Sequence, residues 1–338
     1  MPTAALAQIL MEEGADLVDF TAMTDSGDHQ IFTAADAAFS GEEGKEPEVL
    51  PNGIATGRDL ISVAASGNDD VIDVAAFSAY SQGVLQSVAA SADEALTRPT
   101  TNKLINSITM TSAGVIAVVA GTEGTSFSET RGAAGGPPEI PADSVEIGQV
   151  RLASAAAAPV TDSEIYQVVG QHTERTDYPV FDIDNIGEGD SADVAAQANA
   201  HVKFSSALPL SHAAGTPKKV YIKYYSPIFA EIADGVDFKA IETSHSTSSQ
   251  QVYGRSVGST SESLGQGGFT ALVSDGVKDV LVTAKNKVKT FKFLPNKNKS
   301  PYVLTQGKLG IAREWPAASQ ISVTATISGE RASAEFNS

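Results

Sequence analysis

Residues 320–336 read QISVTATISGERASAEF. Ile321, Val323, Ala325 and Ile327 alternate with Ser322, Thr324, Thr326 and Ser328. Successive side chains of a strand point to opposite faces, so this run predicts a half-buried β-strand with one apolar and one hydroxyl face. It carries no catalytic constellation, which directs attention to surfaces rather than to an active site.

Working upstream, YVLTQGKLGIAREW and VKTFKFLP also read as strands. SDGVKDVLVTAKNK, residues 274–287, places Val277, Val280, Leu281 and Ala284 at helical spacing, with Ser274 or Asp275 as its cap. A helix is expected there; its valines make strand the alternative. Residues 243–268 are a Ser/Gly/Thr tract and read as loop. KKVYIKYYSPIF, residues 218–229, is a strand with Val220, Ile222 and Tyr224 on one face.

The N-terminal half shows the same texture. VIDVAAFSAY–SQG–VLQSVAAS and SITMT–SAG–VIAVVAG read as hairpins with glycine turns. Residues 121–144 form a Gly/Pro-rich loop, VEIGQVRLAS resumes as strand, and Asp162 or Ser163 can cap a helical turn beyond it. Residues 2–13 suggest a short helix, with Pro2 in its first turn, Leu6, Ile9 and Leu10 on one face and Gly14 at its end. Residues 20–60 are irregular and rich in turn signals. The expected division is residues 1–60 as helix and extended arm, 61–165 as an additional β-rich domain, and 166–338 as a second β domain.

The chain has 338 residues, 42% of them apolar, and no cysteine. Disulfides, cysteine-ligated metals and thiol nucleophiles are therefore excluded. No apolar stretch is long enough to span a bilayer, and no cation precedes the first apolar run, so neither a membrane partner nor a secretory signal is expected. The net charge of −18 is uneven: residues 1–200 carry 7 Lys/Arg against 31 Asp/Glu, residues 201–338 carry 16 against 10. Tight nucleic-acid binding needs cations to displace phosphate counterions, so the acidic half argues against it. Complementarity between the acidic half of one copy and the basic half of the next is the sharper reading.

Catalytic and ligand motifs are weak. GRSVG, residues 254–258, matches a nucleophile elbow around Ser256, but no apolar helix follows, and all five histidines precede that serine. DIDNIGEGDSAD, residues 182–193, spaces Asp182, Asp184 and Asp190 as calcium ligands. Ile186 stands at a ligand position of that loop, however, and Asp193 closes it instead of glutamate. GQGG at 265–268 lacks a dinucleotide fingerprint, so no cofactor is expected. Lys285, Lys287, Lys289, Lys292, Lys297 and Lys299 form the basic cluster, best read as a solvated face or a partner for an acidic neighbour. Trp315, before Pro316, reads as a packing anchor. The chain is read as mainly β and not as an enzyme.

An ordered series of stretches carries a resemblance: FTAMTDSGDHQIFTA, PNGIATGRDLI, AGGPPEIPADSVEIGQVRLASAAAAPVTDSEIYQ, YSPIFAEI, SHSTSSQQVYG, GGFTALVSDGVKDVL and SPYVLTQGKLGIAREWPAASQISVTATISGE. Together they resemble the major tail (tail tube) proteins of long-tailed bacteriophages over most of the chain. The resemblance implies a β-sandwich or barrel-like domain with a flanking short helix over residues 166–338. It implies rings, typically hexameric, that stack into a hollow tube through which DNA passes without specific binding. The implied partners are other copies of the chain and the tape measure, tail terminator and distal tail proteins, in a virion made in a bacterial cytoplasm. Asp275, Ser256, Lys285, Lys287, Lys289 and Lys292 are the candidate assembly residues, within segments 243–268 and 275–299, with the arm 20–50 beside them. A capsid decoration protein, a tail fibre or receptor-binding module, and a calcium-dependent surface module are the alternatives.

Overall fold

The computed structural model describes residues 6–50, 52–167, 180–189, 198–208, 219–253, 255–274 and 276–337. The alternation at 321–328 becomes a strand, Ile321–Ser328, with Val323, Ala325 and Ile327 buried and Thr324, Thr326 and Ser328 exposed. It lies between Gly267–Val273 and Tyr302–Glu314, so Thr324 faces Thr270 on one side and Ala312 on the other. The sheet continues through Val288–Leu294, Gln8–Ala22 and Tyr221–Glu231 to an edge at Glu48–Leu50. Its other edge is Gly235–Lys239, and Ala334–Phe336 pairs with the start of Tyr302–Glu314. All of these pairings are antiparallel.

The apolar face of this sheet closes on a core of Ile9, Met11, Phe269, Phe291, Leu309, Val323 and their neighbours. A second core joins residues 23–49 to residues 200–224, with Phe32 edge-on to Phe204 at 5.7 Å and Phe39 tilted on Tyr224 at 4.8 Å. A third core is drawn wholly from residues 54–160, and the partly buried Ile165 packs against it. It is enclosed by three small sheets, built on Ile61–Val63, Val71–Val74 and Ser91–Ala95; on Gly53–Thr56, Phe77–Ser81 and Val84–Val88; and on Leu104–Met110 with its neighbours Ile116–Ala120, Val145–Leu152 and Ile165–Gln167. The chain is thus mainly β, with several sheets.

Three local expectations are corrected. Among the described residues, the helix expected over 2–13 is instead the start of a 15-residue strand, Gln8–Ala22. Ile9 and Met11 are two apart and both point into the core, and pairing with Val288–Leu294 and Tyr221–Glu231 outweighs the i, i+3 spacing. Gly14 lies at a register shift of that strand rather than at a helix end. The strands of residues 8–50 therefore sit within the sheets of the C-terminal half rather than as a separate arm. The helix over 274–287 shrinks to one turn, Val280–Thr283, because Gly276 (φ 66°) and Asn286 (φ 65°) take left-handed conformations on either side of it. Leu281 from that turn enters the core. The tract 243–268, read as loop, is strand over most of its length, as described below.

VIDVAAFSAYSQGVLQSV forms one hairpin, Phe77–Ser81 with Val84–Val88, whereas Val71–Val74 pairs in another sheet. Gln82 (φ 57°) and Gly83 (φ 75°) make its two-residue turn. A Cβ on Gly83 would lie 2.2 Å from Phe20 of the long N-terminal strand, so this turn rests closely on the large sheet.

Asp143 clasps the same junction. Its carboxylate accepts hydrogen bonds from Tyr221 Oη at 2.6 Å, Lys219 Nζ at 2.9 Å and Gln82 Nε2 at 3.2 Å. Burial pushes the carboxyl up, but these hydrogen bonds and the Lys219 charge outweigh it, and the net shift is downward. A carboxylate lowered in the folded state adds stability that is complete above its unfolded value, near pH 4, and is lost as pH falls through the lowered value. Asp143→Asn should therefore lower the midpoint of thermal unfolding at neutral pH, and the difference from wild type should vanish in acid. Melting curves from pH 2 to 8 check this; a difference that grew in acid would contradict the sign.

Candidate functional site

Two strands, Thr243–Val252 and Arg255–Leu264, form a ribbon, paired with each other and, among the described residues, with no other strand. Val252 faces Arg255, and Tyr253 stands at the tip between the two strands. Thr, Val and Tyr favour extended backbone, and cross-strand serines fit one another. Ser244 meets Ser263 at 2.8 Å, Ser246 meets Ser261 at 2.7 Å, and Ser248 meets Ser259 at 2.8 Å, a hydroxyl ladder along one face. Every described side chain of the ribbon is exposed, and Tyr253 at its tip is fully so. At about 3.4 Å per residue each strand reaches roughly 34 Å. Ser256 lies in the second strand, opposite Gln251.

A second exposed surface is the reverse side of the large sheet. Leu272, Lys308, Ala312, Glu314, Thr324, Thr326 and Ser328 present mostly small side chains there, with one positive and one negative charge. Near its end stand Val277, Val280 and Trp315, 61%, 52% and 55% exposed. Trp315 follows the strand Tyr302–Glu314 and lies close to Gly276, with the Arg313 guanidinium 5.0 Å from its ring. The packing anchor expected at a strand start is instead a half-exposed residue just past a strand's end.

The basic cluster divides. Lys285 and Lys287 are exposed. Lys289 is buried and paired with Glu42, whose carboxyl is held low chiefly by that hydrogen bond. Lys292 sits 3.9 Å above the Tyr302 ring, and burial pushes its ammonium down. Alternation along Val288–Leu294 explains the division: Lys289 lies on the same face as Phe291, and Lys292 on the other. Asp275 lies outside the described residues. Among the described residues no helix is long and apolar enough to cross a membrane.

Of the calcium candidates, Asp190 lies outside the described residues. Asp182 is exposed and pairs with Lys203 across the hairpin of Phe181–Asp184 and His201–Phe204. Asp184 is buried opposite His201, and carboxylate oxygens of Asp184 and Glu188 lie within 4.8 Å of a His201 ring nitrogen and of each other. His201 and Glu188 were missed as partners because the pairing of Phe181–Asp184 with His201–Phe204, not sequence spacing, brings them together. The polar run at 182–188 and a lone histidine before a strand were the only signals.

Comparison of the chain with protein-family models, with curated proteins and with solved structures finds no match.

Proposed function

We propose that this protein is a structural subunit that assembles with copies of itself into stacked rings, the tail tube of a long-tailed bacteriophage. The free-standing ribbon Thr243–Leu264 carries the reading. A two-stranded ribbon alone in water is marginal, and one this long, exposed on both faces, gains its stability by docking. Its unpaired outer edges can add to the sheet of a neighbour. On this reading the large sheet and its one-turn helix are the sandwich or barrel-like tube domain, and the core of residues 54–165 belongs to an additional domain.

The nearly neutral Ser/Thr face of the large sheet supports the same reading. DNA passing along it would find few cations to hold its phosphates. The basic excess of residues 201–338 is partly hidden, since Lys289 is consumed by Glu42 inside the fold. Lys285 and Lys287, exposed beyond the helical turn, and Val277, Val280 and Trp315 beside it are the proposed contacts with a neighbouring subunit.

Negative-stain electron microscopy over a concentration series, with mass by light scattering, tests the proposal. Hollow rings or tubes of a single diameter are expected. Compact trimers or spikes would replace the tube with a decoration protein or fibre, and a monomer at every concentration, even with preformed tube ends added, would overturn assembly altogether.

A further inference from the structure

We infer that Asp184, Glu188 and His201 form a binding site for a divalent transition ion of the zinc class. The inference does not depend on the tube reading. His201 is 1% exposed and Asp184 6%. His201 Nδ1 lies 3.2 Å from the carbonyl oxygen of Asn199. A carbonyl only accepts, so Nδ1 carries the proton and Nε2 presents its lone pair. Nε2 stands 2.7 Å from Asp184 Oδ2, outside hydrogen-bond geometry and without any other partner. Nε2 and a carboxylate oxygen thus face each other in a buried place, an arrangement that calls for a cation or a further proton between them.

The rest of the site has the form of a metal centre. A histidine whose other ring nitrogen is tied to a backbone carbonyl is oriented as metal-bound histidines are. Glu188 supplies a second carboxylate from a segment fixed by the Gly187 N–H bond to the Ala37 carbonyl at 2.9 Å. One imidazole nitrogen and two carboxylate oxygens suit zinc and its neighbours, with a position left for water. Calcium, which takes six to eight oxygens, is a poor match for this set. A groove bordered by Asn185, Glu188, Lys308 and Arg331 opens beside the cluster and offers a path of entry.

Arg331 is the competitor. Its guanidinium contacts Asp184 Oδ1, and its side chain is 56% exposed. It can swing away when the ion arrives, so ion and arginine are alternative cations for one carboxylate.

The test uses the full chain, stripped with chelator and titrated with zinc chloride by calorimetry, and with cobalt chloride by visible absorption. One ion per chain is expected, with a cobalt spectrum of four-coordinate form and a rise in unfolding temperature on zinc addition. Glu188→Gln, at an exposed position, and His201→Gln, checked for native circular dichroism, should each weaken zinc by roughly 100-fold or more, beyond the usual cost of losing an outer-shell partner. Arg331→Ala should tighten it. Failure of the wild-type chain to bind a stoichiometric ion would overturn the site, as would affinity unchanged in both ligand variants. Binding of calcium in preference to zinc would overturn the assigned class.

Discussion

Replacing residues 245–262 with an Asn-Gly turn, so that Ser244 and Ser263 close a short hairpin, should abolish ring and tube formation while leaving the subunit folded. Among its described side chains the ribbon contributes none to any of the cores. Its removal therefore takes away nearly nothing that holds the subunit together, and an Asn-Gly pair suits a two-residue hairpin turn. What it removes is two 10-residue strands with open edges and the exposed Tyr253 at their tip. Buried tyrosines are among the strongest anchors at interfaces, so Tyr253→Ala alone should raise the concentration needed for assembly. Circular dichroism should report a native sheet, and microscopy and light scattering a monomer. Tubes formed by the shortened chain at wild-type concentration would show that the ribbon is not a contact, and the proposal would lose its main support.

The largest loss of subunit stability is expected from Phe291→Ala. Phe291 is fully buried in the middle of the large sheet, with the Phe269 ring 5.7 Å away and the long N-terminal strand paired alongside. Truncating a core phenylalanine leaves a cavity as well as forfeiting its transfer out of water, about 3–5 kcal/mol together. Thr324→Val, on the exposed face of the same sheet, should change stability by no more than about 0.5 kcal/mol. Denaturant unfolding of the two variants measures both. The core built from residues 54–160 shares no buried residue with the one around Phe291, so calorimetry should show the phenylalanine variant lowering one transition far more than the other. An equal effect of the two substitutions would mean that the two faces of the sheet are misassigned.

Period-two alternation made the C-terminal sheet legible. Ile321–Ser328 and the strands around Phe291 and Tyr224 follow it, because one face of each is covered and the other is wet or differently packed. The Ser/Thr ribbon escaped the same reading because it has no covered face, and so no hydrophobic pattern to betray it. Its clue was of another kind: threonine, valine and serine on both sides of a central Tyr-Gly pair. The N-terminal strand escaped for the opposite reason. Its apolar residues fit a helical turn as well as a strand, and only partners from residues 221–231 and 288–294 decide between them.

The sequence by itself determined the class of this protein: mainly β, without cysteine chemistry, acidic in one half and basic in the other. Local pattern and composition suffice for that, since they reflect which side chains tolerate water and which backbones extend. Only the tertiary structure decided that Lys289 is consumed inside the fold, that Trp315 is exposed, and that Asp184 meets His201. Each of those outcomes depends on which strand lies next to which, and strand pairing over long sequence separations leaves no local trace.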